Sequence, residues 1–174
     1  MSAVVRWFER RFEFSFPATL YPSMRVRLQG TPARLEEMLR DCPRELLVRE
    51  AGDQWSIQEH VGHLLDLEPL WMARIEDFVA GHAELTAADL TNRKTHEAGH
   101  NSKSLGEIVD GFRQARAGLL ELADRADPVR ITRTLPHPRM RTPMRLIDHL
   151  YFVAEHDDHH LARMWEMMRQ SSRS

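Results

Sequence analysis

Apolar residues recur at helical spacing in four separate stretches of this chain. In residues 57–78 and 147–168, successive apolar positions are three, four or seven residues apart. Such steps place side chains on one face of an α-helix that packs against other helices. Shorter stripes of the same kind occupy residues 35–39 and 108–122. With no convincing run of strands between them, the pattern predicts an all-α four-helix bundle.

Helix-start signals precede each of the four stripes. Ser56 and Ser104 are predicted N-caps, each with a glutamate three residues further on. Thr31-Pro32 and Thr142-Pro143 place a proline directly after a potential cap. We therefore expect the first helix to begin at Thr31 and the fourth at Thr142. Gly81 is expected to end the second helix.

The segments outside the four helices differ in character. Residues 82–103 are polar and form a long loop between the second and third helices, and a loop of this length is usually functional. Residues 1–24 contain many apolar groups, so we expect them to pack on the body or on a second subunit of a homodimer. Residues 25–170 would then form the bundle domain. Val129 and Ile131 alternate with polar residues, and residues 129–142 are expected to form a small hairpin.

Composition narrows the class of protein. The 174 residues are 42% hydrophobic and 29% charged, which is typical of one globular domain. No apolar run approaches the ~18 residues of a membrane span, and no signal peptide is evident. A formal net charge of −2 gives no reason to expect a nucleic-acid partner. The single cysteine excludes an internal disulfide, so a cytoplasmic location is expected.

Histidines supply the candidate chemistry. Four of the ten fall in residues 148–161, within the predicted fourth helix. His156 and His160 are one turn apart on the same face, so both can reach one metal ion at ~2.0–2.1 Å. His63, on the second helix, is the natural third ligand because bundle sites draw ligands from facing helices. Glu68 and Asp157 interrupt the apolar stripes of these two helices, which predicts a polar cavity beside them.

Other histidines compete for the same role. His149 lies seven residues before His156, near the same face, and His60 lies one turn before the expected third ligand. Either is an alternative ligand. His159 is rotated about 100° from its neighbour and should line a pocket or face solvent. His137, between two prolines, is either at the mouth of a site or an ordinary turn residue.

Four carboxylates are candidates for orienting the imidazoles or for acid–base work, namely Glu59, Asp66, Glu68 and Asp157. Glu59 has an alternative role in the helix cap. Zinc is the first choice by ligand type, and nickel, iron and manganese remain possible. His156-Asp157-x-x-His160 has the spacing of the zincin protease motif, but its aspartate is one methylene shorter than the usual glutamate, which disfavours that reading. A di-iron site is rejected, because its Glu-x-x-His pattern occurs only in the loop.

Two stretches together resemble the DinB/YfiT-like superfamily. These are residues 55–68, WSIQEHVGHLLDLE, and residues 148–161, DHLYFVAEHDDHHL. The resemblance covers about residues 25–170. It implies a DinB-like four-helix bundle, often dimeric, with a divalent metal held by His63, His156 and His160.

The same resemblance implies a function. Several members of that superfamily are metal-dependent transferases or isomerases that use a low-molecular-weight thiol, and others are described as metal-dependent hydrolases. We therefore expect a metal-dependent transferase or hydrolase with a small-molecule substrate, and a thiol cofactor is possible. The alternative is a non-enzymatic metal-binding or dimerising stress-response protein.

Overall fold

The predicted four-helix bundle is confirmed. The computed structural model describes residues 4–50, 52, 54–127 and 132–171. Its α-helices are α1 (Tyr21–Leu39), α2 (Arg44–Leu47), α3 (Ile57–Ala80), α4 (Arg93–Glu97), α5 (Leu105–Asp124) and α6 (Leu146–Ser171). The long helices α1, α3, α5 and α6 form the bundle, in which α5 and α6 each pack against both α1 and α3. No helix in the described ranges is long and apolar enough to cross a membrane.

Two helix starts follow the predicted signals. The Ser56 side chain accepts a hydrogen bond from the Glu59 amide, and the Glu59 carboxylate accepts one from the Ser56 amide at 2.8 Å. This capping box satisfies two amides that the first turn of α3 leaves without partners. At the start of α5, the Ser104 side chain accepts a hydrogen bond from the Glu107 amide at 3.1 Å. Gly81 ends α3 in the left-handed region with φ 83°, where glycine has no steric cost.

The predicted start of the first helix is wrong. α1 begins at Tyr21, ten residues before Thr31, and Pro32 lies inside it. Pro32 has no N–H, so the Leu28 carbonyl one turn earlier loses its usual helical partner. Arg116 of α5 donates to that carbonyl instead, at 3.2 Å. A tertiary contact thus replaces the missing bond and lets the helix continue.

The fourth helix begins later than expected, and the small hairpin expected over residues 129–142 is present slightly further along the chain. Pro143 lies in a strand, β2 (Pro143–Met144), and α6 begins only at Leu146. β2 pairs antiparallel with β1 (Leu135–Pro136), with Leu135 opposite Met144. Val129 and Ile131 of the expected hairpin lie outside the described residues.

A layer of polar side chains crosses the middle of the bundle between two apolar clusters. It consists of Thr31, Glu68, Arg116 and Asp157, one from each long helix, and we call it the polar layer. Arg116 Nη2 donates to Glu68 Oε1 at 2.6 Å, and its Nη1 donates to Asp157 Oδ2 at 2.6 Å. Thr31 Oγ1 donates to the same Asp157 oxygen at 2.9 Å. The cavity predicted beside Glu68 and Asp157 is therefore filled by a guanidinium group.

The N-terminal segment packs on the bundle. Trp7 and Phe12 contact the ring of Phe152 on α6, with centroid distances of 5.0 and 5.2 Å. Phe14 and Phe16 contact Tyr151 on the same helix. The segment therefore covers one face of α6 next to the candidate histidines. Its separation from the bundle as a domain of its own stays a prediction.

Replacing Arg116 by methionine is expected to lower the free energy of unfolding by about 3–5 kcal/mol, because Glu68 and Asp157 would be left buried without their partner. Arg113→Met is the matched control on the same helix. Arg113 pairs with Glu36 at an exposed position, so its loss should change stability by less than about 1 kcal/mol. Urea denaturation followed by circular dichroism measures both variants. Equal stability of the two variants would contradict the structural role of the polar layer.

Candidate metal centre

Three buried histidines from two helices meet at one point. His63 lies on α3, while His156 and His160 lie on α6. One ring nitrogen of each can be chosen so that all three lie within 4.8 Å of one another. His156 Nε2 and His160 Nε2 are 3.2 Å apart. Two nitrogen ligands of a tetrahedral zinc ion with bonds of ~2.0–2.1 Å are about 3.3 Å apart, so this pair already has suitable spacing.

His63 is oriented by a hydrogen-bond relay from the long loop. Its Nδ1 lies 3.0 Å from the Thr95 hydroxyl, which in turn hydrogen-bonds to the Asp66 carboxylate. The hydroxyl proton donated to Asp66 leaves the Thr95 oxygen to accept from the imidazole, so the ring hydrogen of His63 sits on Nδ1. The relay therefore leaves the Nε2 lone pair free for a cation, as in known metal sites.

The two histidines of α6 differ in their outer contacts. His160 Nδ1 lies 2.8 Å from His60 Nδ1, so His60 is a hydrogen-bond partner of a candidate ligand. His156 Nδ1 is buried and has no hydrogen-bond partner among the described residues. Trp7 and Trp71 pack edge-on against the His156 ring, at centroid distances of 4.9 and 5.5 Å. Aromatic packing rather than hydrogen bonding therefore holds this ring.

Burial keeps the cluster uncharged. It lowers the pKa of His63 to about 4 and the pKa values of His156 and His160 well below 6.5. Neighbouring imidazoles lower the last two further, because a second positive charge nearby is unfavourable. At neutral pH all three rings are therefore neutral, which is the form that donates a lone pair to a metal.

Asp66 is held in place by His100 of the loop. His100 Nε2 lies 2.8 Å from Asp66 Oδ2, and the imidazole is almost fully buried. Burial alone would raise the pKa of Asp66, but the hydrogen bonds from His100 and Thr95 lower it overall, so it is ionised. The His100 ring rests where Gly62 has no side chain, since an added Cβ would come within 2.2 Å of it. The sequence Gly62-His63 thus allows the loop to pack directly against α3.

A cavity of about 430 Å³ adjoins the three histidines, which form part of its wall. The remaining wall is mostly apolar and aromatic, with Trp7, Phe8, Trp55, Trp71 and Phe152 from the N-terminal segment, the α3 region and α6. Loop residues 87–90 and Asn92 also line it. The size and character suit a small organic molecule.

The predicted carboxylates occupy three different environments. Asp66 supports His63 through Thr95. Glu59 belongs to the capping box of α3, the alternative that the sequence offered. Asp157 and Glu68 are fully buried in the polar layer, where both are bonded to Arg116, and neither is part of the cavity wall.

The other histidines are also placed by the structure. His149 is buried, and its Nε2 lies 3.2 Å from the Trp71 carbonyl, outside the three-histidine cluster. His159 and His137 both line the cavity. His60 contacts the cluster through its hydrogen bond with His160.

Several residues of the site are not predicted by the sequence pattern. Thr95 and His100 lie in a loop without periodicity, so no signal marks them. Trp55 precedes α3, and its ring packs at a tilt against that of His63 with a centroid distance of 4.6 Å. Arg116 did carry a signal, because it falls on the apolar stripe of α5 four residues after Phe112. A charge at that position predicts a buried partner.

A family model of the DinB superfamily matches residues 27–164, well over half of the chain. The chain belongs to the DinB superfamily. The family assignment inferred from residues 55–68 and 148–161 is thereby confirmed. No curated protein matches the sequence significantly.

Solved structures share the DinB-type fold. YfiT from Bacillus subtilis, described as a probable metal-dependent hydrolase with an unusual four-helix bundle topology, superposes with a TM-score of 0.79. The match covers 94% of each chain at 16% identity. The mycothiol-dependent maleylpyruvate isomerase superposes with a TM-score of 0.65 at 7% identity, covering 84% of this chain and 60% of the isomerase. At these identities the likeness establishes the fold.

Thr95→Val is expected to weaken zinc binding to this DinB protein by about 10–100-fold, because it removes the hydroxyl that orients His63 while preserving side-chain shape. Thr91→Val, in the same loop, removes a hydroxyl that donates only to exposed Asp89 and should leave zinc affinity unchanged. Competition with a chromogenic chelator measures both affinities. Identical zinc affinity in the two variants would exclude the relay.

Proposed function

We propose that this DinB-superfamily chain is a metal-dependent enzyme that acts on a small molecule by hydrolysis or thiol transfer. A divalent cation would be held by His63, His156 and His160. Three neutral ligands leave such an ion its full charge and open coordination positions, so it would lower the pKa of a bound water or thiol.

The observation that carries the proposal is the cavity beside the three-histidine cluster. A structural metal site is closed by four protein ligands, whereas a catalytic site keeps a position for substrate. Here three imidazoles form part of the wall of an aromatic cavity of about 430 Å³. This arrangement favours an enzyme over a metal-binding or dimerising scaffold.

The chain's own residues would then have distinct tasks. Asp66 and Thr95 fix the hydrogen of His63 on Nδ1, and His60 orients His160. Asp157, the chain neighbour of His156, anchors α6 by its ion pair with Arg116. Trp7, Trp55 and Trp71 exclude water around the imidazoles, which strengthens electrostatic interactions within the site. We assign Asp66 as a positioning residue, and Asp157 as an anchor of the helix.

The ligand chemistry indicates the metal, and the similar solved structures indicate the co-substrate. Three imidazoles suit zinc first, and nickel, iron and manganese next. The described relatives point to two chemistries, since YfiT is described as a probable hydrolase and the isomerase as mycothiol-dependent. We propose a low-molecular-weight thiol as co-substrate for the transfer reaction. A homodimer remains part of the proposal, supported by Val5 and Phe8, which are 56% and 59% exposed on the N-terminal segment.

Alanine substitution of His63, His156 or His160 is expected to reduce bound metal from about one ion per chain to near zero, because two remaining ligands bind weakly. The bundle should still fold, since the polar layer and apolar clusters are untouched. His82→Ala is the matched control, as its imidazole is 61% exposed and pairs with Asp77 outside the cluster. Elemental analysis of the purified proteins, with circular dichroism, measures both. Unchanged metal content in His156→Ala and His160→Ala would refute the assignment.

The same variants test the activity. A screen of ester hydrolysis and of thiol transfer, with and without a chelator, should find turnover that disappears with metal removal and in His156→Ala. The His82→Ala protein should retain it. Turnover that survives both chelation and His156→Ala would refute a metal-dependent reaction.

A further inference from the structure

Two arginines are the largest side chains that the fold buries completely. Arg74 and Arg116 are each 1% exposed. Arg116 lies between Glu68 and Asp157, so its charge is balanced. Arg74 has no carboxylate oxygen within 4.0 Å among the described residues, and its Nε donates to the Thr86 carbonyl at 2.8 Å. A buried charge without a partner is costly, so an unpaired one in a cavity wall marks a binding function.

The neighbouring acid of α3 does not supply the missing partner. Asp77, one turn after Arg74, accepts hydrogen bonds from His82 Nδ1 at 2.7 Å and from the Thr86 amide at 2.6 Å. Both of its oxygens are therefore engaged elsewhere. Asp89, which also lines the cavity, is bonded to Thr91 and to the Arg93 amide.

The other unpaired polar groups in this part of the wall are hydrogen-bond donors. His137 Nδ1 accepts from the Arg139 and Met140 amides at 3.2 and 3.3 Å, so the ring hydrogen of His137 is on Nε2. That Nε2–H has no acceptor among the described residues, and neither has Trp71 Nε1–H. Arg74 has no carboxylate partner, and the two ring N–H groups have no acceptor among the described residues. All three residues line the same cavity, and such a set selects an anion.

We propose that Arg74, with Trp71 and His137, forms a carboxylate-binding subsite, so the small molecule taken by the cavity carries a carboxylate. The inference rests on the proposed function in placing the substrate in this cavity. One buried guanidinium balances one negative charge, and its planar fork matches the two oxygens of a carboxylate. Arg139, stacked on Phe8 at 4.9 Å, adds a second positive charge to the cavity wall.

The subsite lies close enough to the three-histidine cluster for one ligand to reach both. The Trp71 ring stands between them, with its centroid 5.5 Å from that of His156 and 5.3 Å from Arg74 Cζ. A molecule lying over Trp71 would place its carboxylate at Arg74 and its reacting group at the histidines. The aromatic wall then suits the apolar part between them.

Isothermal titration of the full-length zinc-loaded protein with 3-phenylpropionate and with its uncharged amide tests the subsite. The carboxylate should bind at least about tenfold more tightly than the amide, as expected for a charge-assisted hydrogen bond in a buried site. Arg74→Met should abolish this preference, and Arg74→Lys should keep part of it. Arg141→Met, which removes an exposed arginine outside the cavity wall, should bind like the wild type.

Repeating the titration on metal-free protein separates this inference from the metal centre. The preference should persist without zinc if Arg74 holds the carboxylate. If the preference is lost when zinc is removed but is kept in Arg74→Met, the carboxylate binds the metal. That result would overturn the subsite while leaving the metal centre intact. Failure of the carboxylate to bind better than the amide also overturns it. Thermal melting monitors folding, and Arg74→Met should melt no lower than wild type, because it removes an unpaired buried charge.

Discussion

The guanidinium of Arg116 joins all four long helices of the bundle. It binds Glu68 of α3 and Asp157 of α6, and it donates to the Leu28 carbonyl of α1, which Pro32 leaves without its helical partner. Buried ion pairs of this kind add little net stability, because desolvation offsets the attraction between charges. The Arg116 network instead determines the register of the four helices, that is, the rotation and axial position of each one. Only one rotation and one axial position of each helix bring the partners together, and the two apolar clusters then pack on either side.

The geometry of the candidate metal centre depends on that register. Asp157 points into the polar layer, and its chain neighbour His156 is rotated about 100° from it, towards the cavity. His160, one turn later, follows the same direction. On α3, Glu68 faces Arg116 while His63 faces the loop and α6. The loop then completes the centre from outside, since Thr95 and His100 connect His63 and Asp66 to it.

Much of this could be predicted from the sequence, for physical reasons that particular residues illustrate. The apolar stripes and the Ser56 capping box are local patterns that hold wherever a helix forms. His156 and His160 share a face by helix geometry alone. Thr31-Pro32 predicted a helix start that is wrong, because a tertiary donor, Arg116, replaces the helical hydrogen bond that Pro32 removes. The roles of Thr95, Trp71 and Arg74 in the site were not predicted, because they arise only when the loop and helices come together.

The two buried arginines show how one residue type serves two purposes. Arg116 is satisfied within the fold and determines its architecture. Arg74 lies in the cavity wall without a carboxylate partner, and the carboxylate of a ligand can supply one. The central claim, however, concerns the three imidazoles. An anomalous difference map from crystals of the metal-loaded protein, collected at the metal edge, tests it most directly. The account predicts one peak about 2.0–2.1 Å from a ring nitrogen of His63, His156 and His160. A peak held by other residues, or none at this cluster, would contradict it.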